Sequence, residues 1–285
     1  MVILELSGGL GNQMFQFALY KKLQSIGRNV VFDLSHYDCE GTRQLELQLF
    51  DGIKHGNILT ISNMDYIRRV KRYLINKLNR VYQDKIGIFQ PEIYDMDWVR
   101  LVGYWQNEKY FADIREDILK SFSFDRNTVG DYNNRLAQEM ENRTSVSLHV
   151  RRGDYLDPRY SHAYNNICTV DYYKKAVKYI NDNVGNPYFY IFSDDLEWVK
   201  DNISLLMGSN NVDDRVTFVD GNRGENSYLD MFLMSQCRHH IIANSTFSWW
   251  GAWLGTNEDK IVVSPSRWLA NHDTTDTICD GWIRV

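Results

Sequence analysis

The residues best suited to chemistry lie together in the sequence HVRRGDY, residues 149–155. An arginine guanidinium is permanently charged, and its planar fork can bind two phosphate oxygens at once. The two arginines are therefore candidates for binding phosphate, and Gly153 lets the backbone turn close to a ligand. Asp154 is a candidate general base, and His149 adds a donor whose charge depends on pH. The simpler alternative is a surface arginine pair beside an Asx-turn.

Two other polar stretches also follow apolar runs that predict buried strands. The sequence SDD, residues 193–195, follows the run 188–192, and NSTFS, residues 244–248, follows the run 241–243. In NSTFS, a serine or threonine can cap the helix that comes next, and a helix N-terminus with free backbone N–H groups is an anion site. In SDD, one carboxylate can cap the next helix, and the other can accept hydrogen bonds from a purine.

The C-terminal half of the chain alternates predicted strands and helices. The strands are predicted at residues 145–150, 188–192, 216–219, 240–243 and 261–263, and the helices near residues 171–182, 196–206, 225–236 and 247–254. Such alternation predicts a parallel sheet with helices on both faces, and right-handed crossovers place the carboxyl ends of the strands on one rim. Ligands of open α/β sheets bind at that rim. We therefore expect the three polar stretches to meet there and to form a metal-free clamp for a pyrophosphate.

The N-terminal half opens with a strand at residues 2–6, the turn SGGLGNQ and a helix at residues 14–25. The turn lacks both the G-x-G-x-x-G spacing of a dinucleotide site and the lysine of a P-loop. Two interpretations remain open. In one, the backbone approaches a bound ligand while Asn12 and Gln13 supply amides; in the other, a tight turn packs the helix on the strand. A polar composition over residues 125–142 predicts a boundary between domains 1–130 and 131–285.

A third periodic pattern predicts a basic amphipathic helix over residues 61–81. Apolar side chains recur at three- and four-residue steps. The segment contains a single acid, Asp65, and six cations, which are Arg68, Arg69, Lys71, Arg72, Lys77 and Arg80. Such a helix can lie on an anionic membrane surface, which would give weak peripheral contact. The alternative is a solvated face on a helix packed into its domain. A further helix is predicted over residues 107–122.

Two patterns that often indicate metal or redox sites are weak in this chain. Asp95 and Asp97 form a D-x-D triplet, but no apolar strand leads into it, so we predict no metal role. The four cysteines, at positions 39, 168, 237 and 279, form no C-x-x-C pair, which favours reduced thiols in a cytosolic protein.

The overall composition is that of an ordinary globular protein of 285 residues, with 44% hydrophobic and 24% charged residues. The net charge of −5 gives no indication of nucleic-acid binding. The first residues are typical of a strand and not of a signal peptide, and no window of about 18 apolar residues predicts a membrane span. We therefore expect a cytoplasmic location.

Five stretches together resemble the α-1,2-fucosyltransferase family, glycosyltransferase family 11. They are GGLGNQMFQFA, GYWQNEKYF, HVRRGDY, YIFSDD and NSTFSWWGAWL, and the resemblance covers most of the chain. It implies an inverting enzyme that moves L-fucose from GDP-β-L-fucose to the 2-hydroxyl of a terminal galactoside without an essential metal. It also implies an α/β, two-domain, GT-B-like architecture with Rossmann-like halves, in which the N-terminal domain is on the acceptor side and the C-terminal domain binds GDP-fucose. With no membrane anchor predicted, the chain resembles the bacterial members, whose acceptors in surface polysaccharide synthesis are often lipid-linked saccharides.

The resemblance and the motifs together assign site residues. Arg151 and Arg152 would stabilise the charge that grows on the β-phosphate, and Asp154 is the first choice for the base, with Asp157, His162 and Glu225 as alternatives. No cofactor and no metal are expected. The expected donor-binding residues are Gly9, Gly11, Asn12, Gln13, His149, Ser193, Asp194, Asp195, Asn244, Ser245, Thr246, Phe247 and Ser248.

Two alternatives to this function remain. One is a fucosyltransferase of another linkage, such as α-1,6, because motifs around the donor do not read the acceptor. The other is a non-catalytic GDP-sugar-binding protein, against which the complete set of charged residues argues. GDP release from GDP-fucose, measured with and without a galactoside, distinguishes these alternatives.

Overall fold

The computed structural model describes residues 1–38, 44–54, 66–78, 80–158, 161–164, 166–209, 213–270 and 275–285. The chain forms two compact units, Met1–Phe124 and Asp125–Val285. This division, after Phe124, lies six residues before the boundary after residue 130 that the composition predicted. In the described ranges, no helix is long and apolar enough to cross a membrane.

The first unit contains four parallel strands in the order β2-β1-β4-β3. Strands β1 and β2 are apolar almost throughout, as expected for parallel strands covered on both faces. Short 3-10 turns connect the longer elements. The elements are β1 (Val2–Glu5), α1 (Leu10–Ser25), β2 (Val30–Asp33), α2 (Asp51–Lys54), α3 (Tyr66–Lys77), β3 (Val81–Gln83), β4 (Val99–Val102) and α4 (Arg115–Ser121).

The second unit contains six parallel strands in the order β10-β9-β8-β5-β6-β7. Its strands are β5 (Ser145–Val150), β6 (Tyr188–Ser193), β7 (Val216–Phe218), β8 (His239–Ile241), β9 (Val262–Ser264) and β10 (Ile283–Arg284). Its helices are α5 (Gly130–Glu141), α6 (Gly153–Leu156), α7 (Ser161–Tyr164), α8 (Val170–Asn183), α9 (Leu196–Met207), α10 (Tyr228–Gln236) and α11 (Thr246–Leu254). The prediction of an α/β protein with two Rossmann-like halves is confirmed.

Strand β5 runs through the centre of the second sheet and is buried along its whole length. Its side chains alternate between the two faces, so Val146, Leu148 and Val150 pack with α8 and α9. Helices α10, α5 and α11 pack on one another and contribute no side chain to that cluster, so they cover the opposite face. There Ser147 and His240 form a buried hydrogen bond of 2.9 Å between Oγ and Nδ1. Two covered faces leave the carboxyl ends of the strands as the accessible edge.

Several element boundaries differ from the sequence-based predictions. The basic helix ends at Lys77, because Val81 pairs with Arg100 and begins β3, and residues 61–65 lie outside the described residues. The helix predicted over residues 107–122 is two 3-10 turns followed by α4, which begins at Arg115. The polar stretch after residue 125 contains α5, whose buried Asn133 bonds to Asn222. Strands β3, β4 and β10 were not predicted, because each is too short to show a pattern.

Candidate functional site

The three polar stretches predicted from the sequence lie at one edge of the second sheet. Strands β8, β5 and β6 are adjacent in that order, so the loops that follow them are neighbours. Backbone N–H groups of the β5 loop donate to Asp194 in the β6 loop. On the other side, the hydroxyl of Tyr155 in α6 donates to the carbonyl of Asn244 after β8, over 2.7 Å. The edge is therefore one continuous surface.

Asp194 organises the loop after β5. One carboxylate oxygen accepts from the backbone N–H of Arg152 at 2.9 Å, and the other accepts from that of Gly153 at 3.0 Å. The second oxygen also lies 3.0 Å from Nη1 of Arg151. A side chain at Gly153 would place its Cβ 2.7 Å from this oxygen, so the close approach needs glycine. Asp194 thus fixes both the backbone turn and the first arginine.

Two residues hold Arg152: Asp195, the N-cap of α9, and Trp198, in the first turn of that helix. Its Nε donates to Asp195 Oδ2 at 3.1 Å, and its guanidinium carbon lies 3.6 Å from the ring centroid of Trp198. Asp195 is also the N-cap of α9, because its Oδ1 accepts from the backbone N–H of Trp198. Capping was one of the two roles that the sequence left open for these carboxylates. Sequence reasoning did not identify Trp198, although its position three residues after the cap could have suggested it.

Ser193 supports this arrangement from within the same loop. Its hydroxyl accepts from the backbone N–H of Asp195 at 3.0 Å. The described hydrogen bonds of Ser193, Asp194 and Asp195 are therefore all made to other groups of the protein. Binding of a purine by this loop stays a prediction.

His149 lies at the end of β5 beneath the arginines. It is 5% exposed, and its ring centroid is 6.1 Å from that of Phe247 at the start of α11. Burial, together with the nearby charge of Arg151, lowers the pKa of His149 to about 3, so the imidazole is neutral at physiological pH. Its Nδ1 is buried with no hydrogen-bond partner among the described residues. Such orphaned polar atoms are uncommon in folded proteins, and a ligand can supply the missing bond.

The N-terminus of α11 lies beside His149. Ser245 occupies the N-cap position as predicted, but its side chain makes no capping hydrogen bond. The Ser248 hydroxyl is buried and donates back to the Ser245 carbonyl at 3.3 Å. Thr246 and Phe247 are half-buried in the first turn. A first turn that no N-cap side chain closes is suited to binding an anion.

Asn244 has a structural role that the sequence did not suggest. Its side-chain amide donates to the carbonyl of Trp268 at 3.2 Å, and its backbone N–H donates to Sγ of Cys168 at 3.3 Å. Burial raises the pKa of the Cys168 thiol to about 12. The thiol is therefore neutral, and it packs under the loop as a hydrogen-bonding support. Contact of Asn244 with a donor stays a prediction.

The candidates for the general base lie in two connections, the one between β5 and α8 and the one between β7 and α10. The backbone of Asp154 lies in α6, but its side chain, like that of His162, lies outside the described residues. Asp157 is half-buried just after α6, and Glu225 is exposed in a 3-10 turn that follows β7. The identity of the base stays a prediction.

The glycine-rich loop of the first unit lies at the carboxyl end of β1. Gly9 is the N-cap of α1, and Gly11 lies in its first turn. Gln13 is fully buried: its amide donates to the carbonyls of Gly8 and Gln44 at 2.9 and 2.8 Å, and its oxygen accepts from the backbone N–H of Glu46 at 2.8 Å. Asn12 instead accepts from the Gln106 amide at 2.9 Å. Gln13 holds the loop together, while Asn12 lies closer to the surface.

The D-x-D triplet has partners within the protein. Asp97 pairs with the N-terminal amine, which lowers the pKa of its carboxyl, and Asp95 lies 3.5 Å from Nη2 of Arg28. Over the described ranges, no group of three His, Cys, Asp or Glu side chains is arranged to hold a metal ion.

Comparisons with known proteins connect this geometry to a family. The family model described as glycosyl transferase family 11 matches residues 62–285. The O-antigen biosynthesis glycosyltransferase WbnK of Escherichia coli is 35% identical over 98% of this chain and 99% of its own length. An α-1,2-colitosyltransferase of Escherichia coli is 31% identical over 100% of this chain and 98% of its own length. The human galactoside α-(1,2)-fucosyltransferase 1 is 28% identical over 59% of this chain and 46% of its own length.

Solved structures agree at the level of the fold. A structure of an Arabidopsis thaliana FUT1 variant in complex with GDP superposes with a TM-score of 0.51 at 11% identity, covering 94% of this chain and 71% of that one. The two parallel sheets are those of the GT-B class. The family match over residues 62–285 and the full-length bacterial relatives show that this chain belongs to glycosyl transferase family 11.

Proposed function

We propose that the protein transfers L-fucose from GDP-β-L-fucose to the 2-hydroxyl of a terminal galactoside, with inversion, to form an α-1,2 linkage. The observation that carries the proposal is the arginine pair after β5, which two different carboxylates hold, together with the uncapped N-terminus of α11, which follows the adjacent strand β8. The α-1,2 linkage in the names of two relatives supports the regiochemistry.

The arginines and α11 act on the leaving group. When the bond to fucose breaks, negative charge grows on the β-phosphate of GDP. Arg151 and Arg152 are already oriented by Asp194 and Asp195, so little reorganisation is needed when that charge appears. Fixed cations and helix N–H groups in a partly buried site stabilise such charge strongly. This chemistry needs no metal ion, and we propose that none is used.

The neutral ring of His149 suits donor binding in a different way. Because its pKa is about 3, the imidazole adds no charge beside the arginines at neutral pH. Its buried Nδ1 has no hydrogen-bond partner among the described residues, so a ligand that reaches the edge of the sheet could supply one. We assign it to hydrogen bonding with the nucleotide part of the donor, where it would favour binding without changing the charge at the reacting bond.

Inversion requires a base on the face of the sugar opposite GDP, and Asp154 is our first choice. It lies in the helical turn α6, which begins directly after the two arginines. Asp154→Asn keeps the size of the side chain and one carbonyl acceptor, but it cannot take the proton. We expect transfer to fall by about 10²- to 10⁴-fold while GDP affinity in calorimetry stays at the wild-type value. If GDP affinity falls in parallel, Asp154 orients the arginines, and the base is Glu225, Asp157 or His162.

The acceptor is proposed to be a galactose-terminated glycan carried on a lipid, in the synthesis of a bacterial surface polysaccharide at the inner face of the membrane. The name of WbnK, which includes O-antigen biosynthesis, supports this class of acceptor. The alternative donor is nucleotide-activated colitose, because a colitosyltransferase matches the full length of the chain. The two sugars would use the same phosphate site and differ in the pocket for the ring.

The test compares two acceptors that differ at one position. The protein is incubated with GDP-fucose and either a β-galactoside or the same galactoside methylated at its 2-hydroxyl, while GDP release and products are followed by mass spectrometry and linkage analysis. We expect an α-1,2-fucosylated product from the first acceptor and none from the second. Product from the methylated acceptor would indicate another linkage. Binding of GDP-fucose without transfer would indicate the non-catalytic alternative. Transfer from activated colitose but not from GDP-fucose would identify colitose as the sugar that the protein transfers.

A further inference from the structure

The carboxyl edge of the first sheet displays an exposed tyrosine ring, Tyr104, beside the glycine-rich loop. We propose that Tyr104, beside the amide of Gln106, forms a subsite for a pyranose ring of the acceptor glycan, in which the aromatic ring stacks on the apolar face of the sugar, next to the donor contact expected of Asn12. The inference rests on the proposed function, which it deepens by naming residues that bind the acceptor.

The loop after β4 is built around Asp84. This buried carboxylate accepts from the backbone N–H groups of Tyr104 at 3.2 Å and of Trp105 at 2.9 Å. Gly103 precedes them with φ of +133°, and a Cβ at that position would lie 2.2 Å from the Cβ of Asp84. Only glycine allows this approach. The backbone that carries the Tyr104 ring is therefore fixed from below.

The loop after β1 is joined to the loop after β4 by a second buried side chain. The amide of Gln16 donates to the carbonyl of Gly103 at 2.9 Å, and its oxygen accepts from the backbone N–H of Ser7 at 3.0 Å. Gly8 has φ of +81°, and a Cβ there would lie 3.0 Å from Cε1 of Tyr104 and 2.8 Å from Nδ2 of Asn12. The tyrosine ring and the asparagine amide thus both lie against the glycine-rich loop.

Two adjacent aromatic residues divide between the core and the surface. Trp105 is fully buried with φ of +57°, a strained backbone conformation for a residue of this size. Tyr104 remains 38% exposed. Trp105 and Asp84 therefore anchor the turn from which the Tyr104 ring projects. Strain of this kind is typical of sites where a side chain must be held in one position.

The chemistry of this surface suits a neutral sugar. Beside the tyrosine ring, the Gln106 side-chain amide donates to Asn12 at 2.9 Å. Tyr37, whose hydroxyl donates to the carbonyl of Gly8, adds a further polar group nearby. A flat apolar ring with a few convergent uncharged polar groups matches a pyranose, whereas a nucleoside diphosphate requires cations.

The test substitutes Tyr104 and a matched control. Trp98 has the same exposure of 38% and a positive φ of 54°, but it precedes β4 and so lies at the opposite edge of the sheet. For Tyr104→Ala, we expect the KM for the galactoside to rise about tenfold, because an aromatic contact of this kind is worth roughly that factor. We expect an unchanged Kd for GDP in calorimetry. Tyr104→Phe keeps the ring and should keep the wild-type KM, and Trp98→Ala should change neither constant.

Two further measurements make the result unambiguous. Tyr104→Leu keeps apolar volume without a ring face, so it should raise KM even if Tyr104→Ala folds poorly. Saturation-transfer NMR with the galactoside, in the presence of GDP, reports binding without turnover. A wild-type KM in both Tyr104→Ala and Tyr104→Leu, or an equal loss of GDP affinity, would overturn the subsite. If the wild-type protein transfers no fucose, the proposed function fails. The NMR comparison then decides the subsite alone: weaker galactoside binding by the variants supports it, and unchanged binding overturns it.

Discussion

Arg151 and Arg152 are adjacent in the sequence but held in different ways. Arg151 pairs with Asp194 through a terminal nitrogen, whereas Arg152 uses Nε for Asp195 and stacks on Trp198. The sequence predicted the arginines because their residue type indicates phosphate binding. It did not predict that the carboxylates orient them, because that contact requires the β5 and β6 loops to meet. The two residues are therefore not interchangeable.

Arg152 is the residue whose replacement tests this arrangement most directly. Arg152→Lys keeps one positive charge but loses the planar group that bonds to Asp195 and stacks on Trp198. We expect kcat to fall by about 10²-fold, and Arg152→Ala to be nearly inactive with an unchanged melting temperature. Arg215→Lys, at an exposed position of the same unit, is the control and should behave as wild type. Turnover close to wild type in Arg152→Ala would remove the residue from the site.

At the scale of elements, the pattern of apolar residues predicted the buried strands well. The strands β5 and β6 were predicted almost to the residue, because a central parallel strand is a continuous apolar run. The basic helix was predicted too long, because apolar residues at the right spacing continue to Val81, which pairs with β4 instead. Edge pairing of this kind is a tertiary effect, and three residues carry no periodic signal of their own.

Helix α3 presents an apolar side that nothing described in its unit covers. Ile75 packs against Met1, Ile3 and Val31, whereas Tyr73 and Leu78 are 62% and 68% exposed, and Val70 and Leu74 are exposed as well. No acidic residue lies between Tyr66 and Arg80, although the whole chain has a net charge of −5. Two copies meeting through this helix would bring like charges together. We therefore propose that α3 contacts an anionic lipid surface.

Vesicle flotation tests the contact. We expect binding to vesicles that contain anionic lipid at low ionic strength, and release as salt is added, because each cation near such a surface contributes about 1 kcal/mol. Charge reversal at Arg68, Arg69 and Arg72, or Tyr73→Ser with Leu78→Ser, should abolish flotation. Charge reversal at Lys178, an exposed cation of α8, is the control and should leave it intact. Flotation that the α3 variants do not change would exclude this face.

At the scale of the whole molecule, the two sheets present different chemistry at their carboxyl edges. The second unit gathers arginines and a helix N-terminus, which suits a phosphate, while the first gathers an exposed tyrosine and amides. The sequence predicted the edge of the second sheet, since strand ends in open parallel sheets are recognisable from pattern. In the first sheet it indicated only the glycine-rich turn after β1, and it predicted neither β4 nor the exposed Tyr104 that follows this strand. It did not distinguish the buried, structural Gln13 and Gln16 from the more accessible Asn12, because all three are amides in one short stretch.

The division of charge leads to a prediction about metal. If Arg151, Arg152 and the first turn of α11 balance the charge on departing GDP, a divalent cation adds nothing that catalysis requires. We expect the rate of fucosyl transfer after exhaustive treatment with EDTA to equal the untreated rate. Added Mn²⁺ or Mg²⁺ should not raise it. The double variant Asp95→Asn, Asp97→Asn tests whether the D-x-D triplet contributes to catalysis. It should retain wild-type kcat, since both carboxylates are already paired with cationic groups. Loss of transfer on chelation that Mn²⁺ restores in the wild type, but not in the double variant, would make these aspartates metal ligands and would reassign the arginines to donor binding alone.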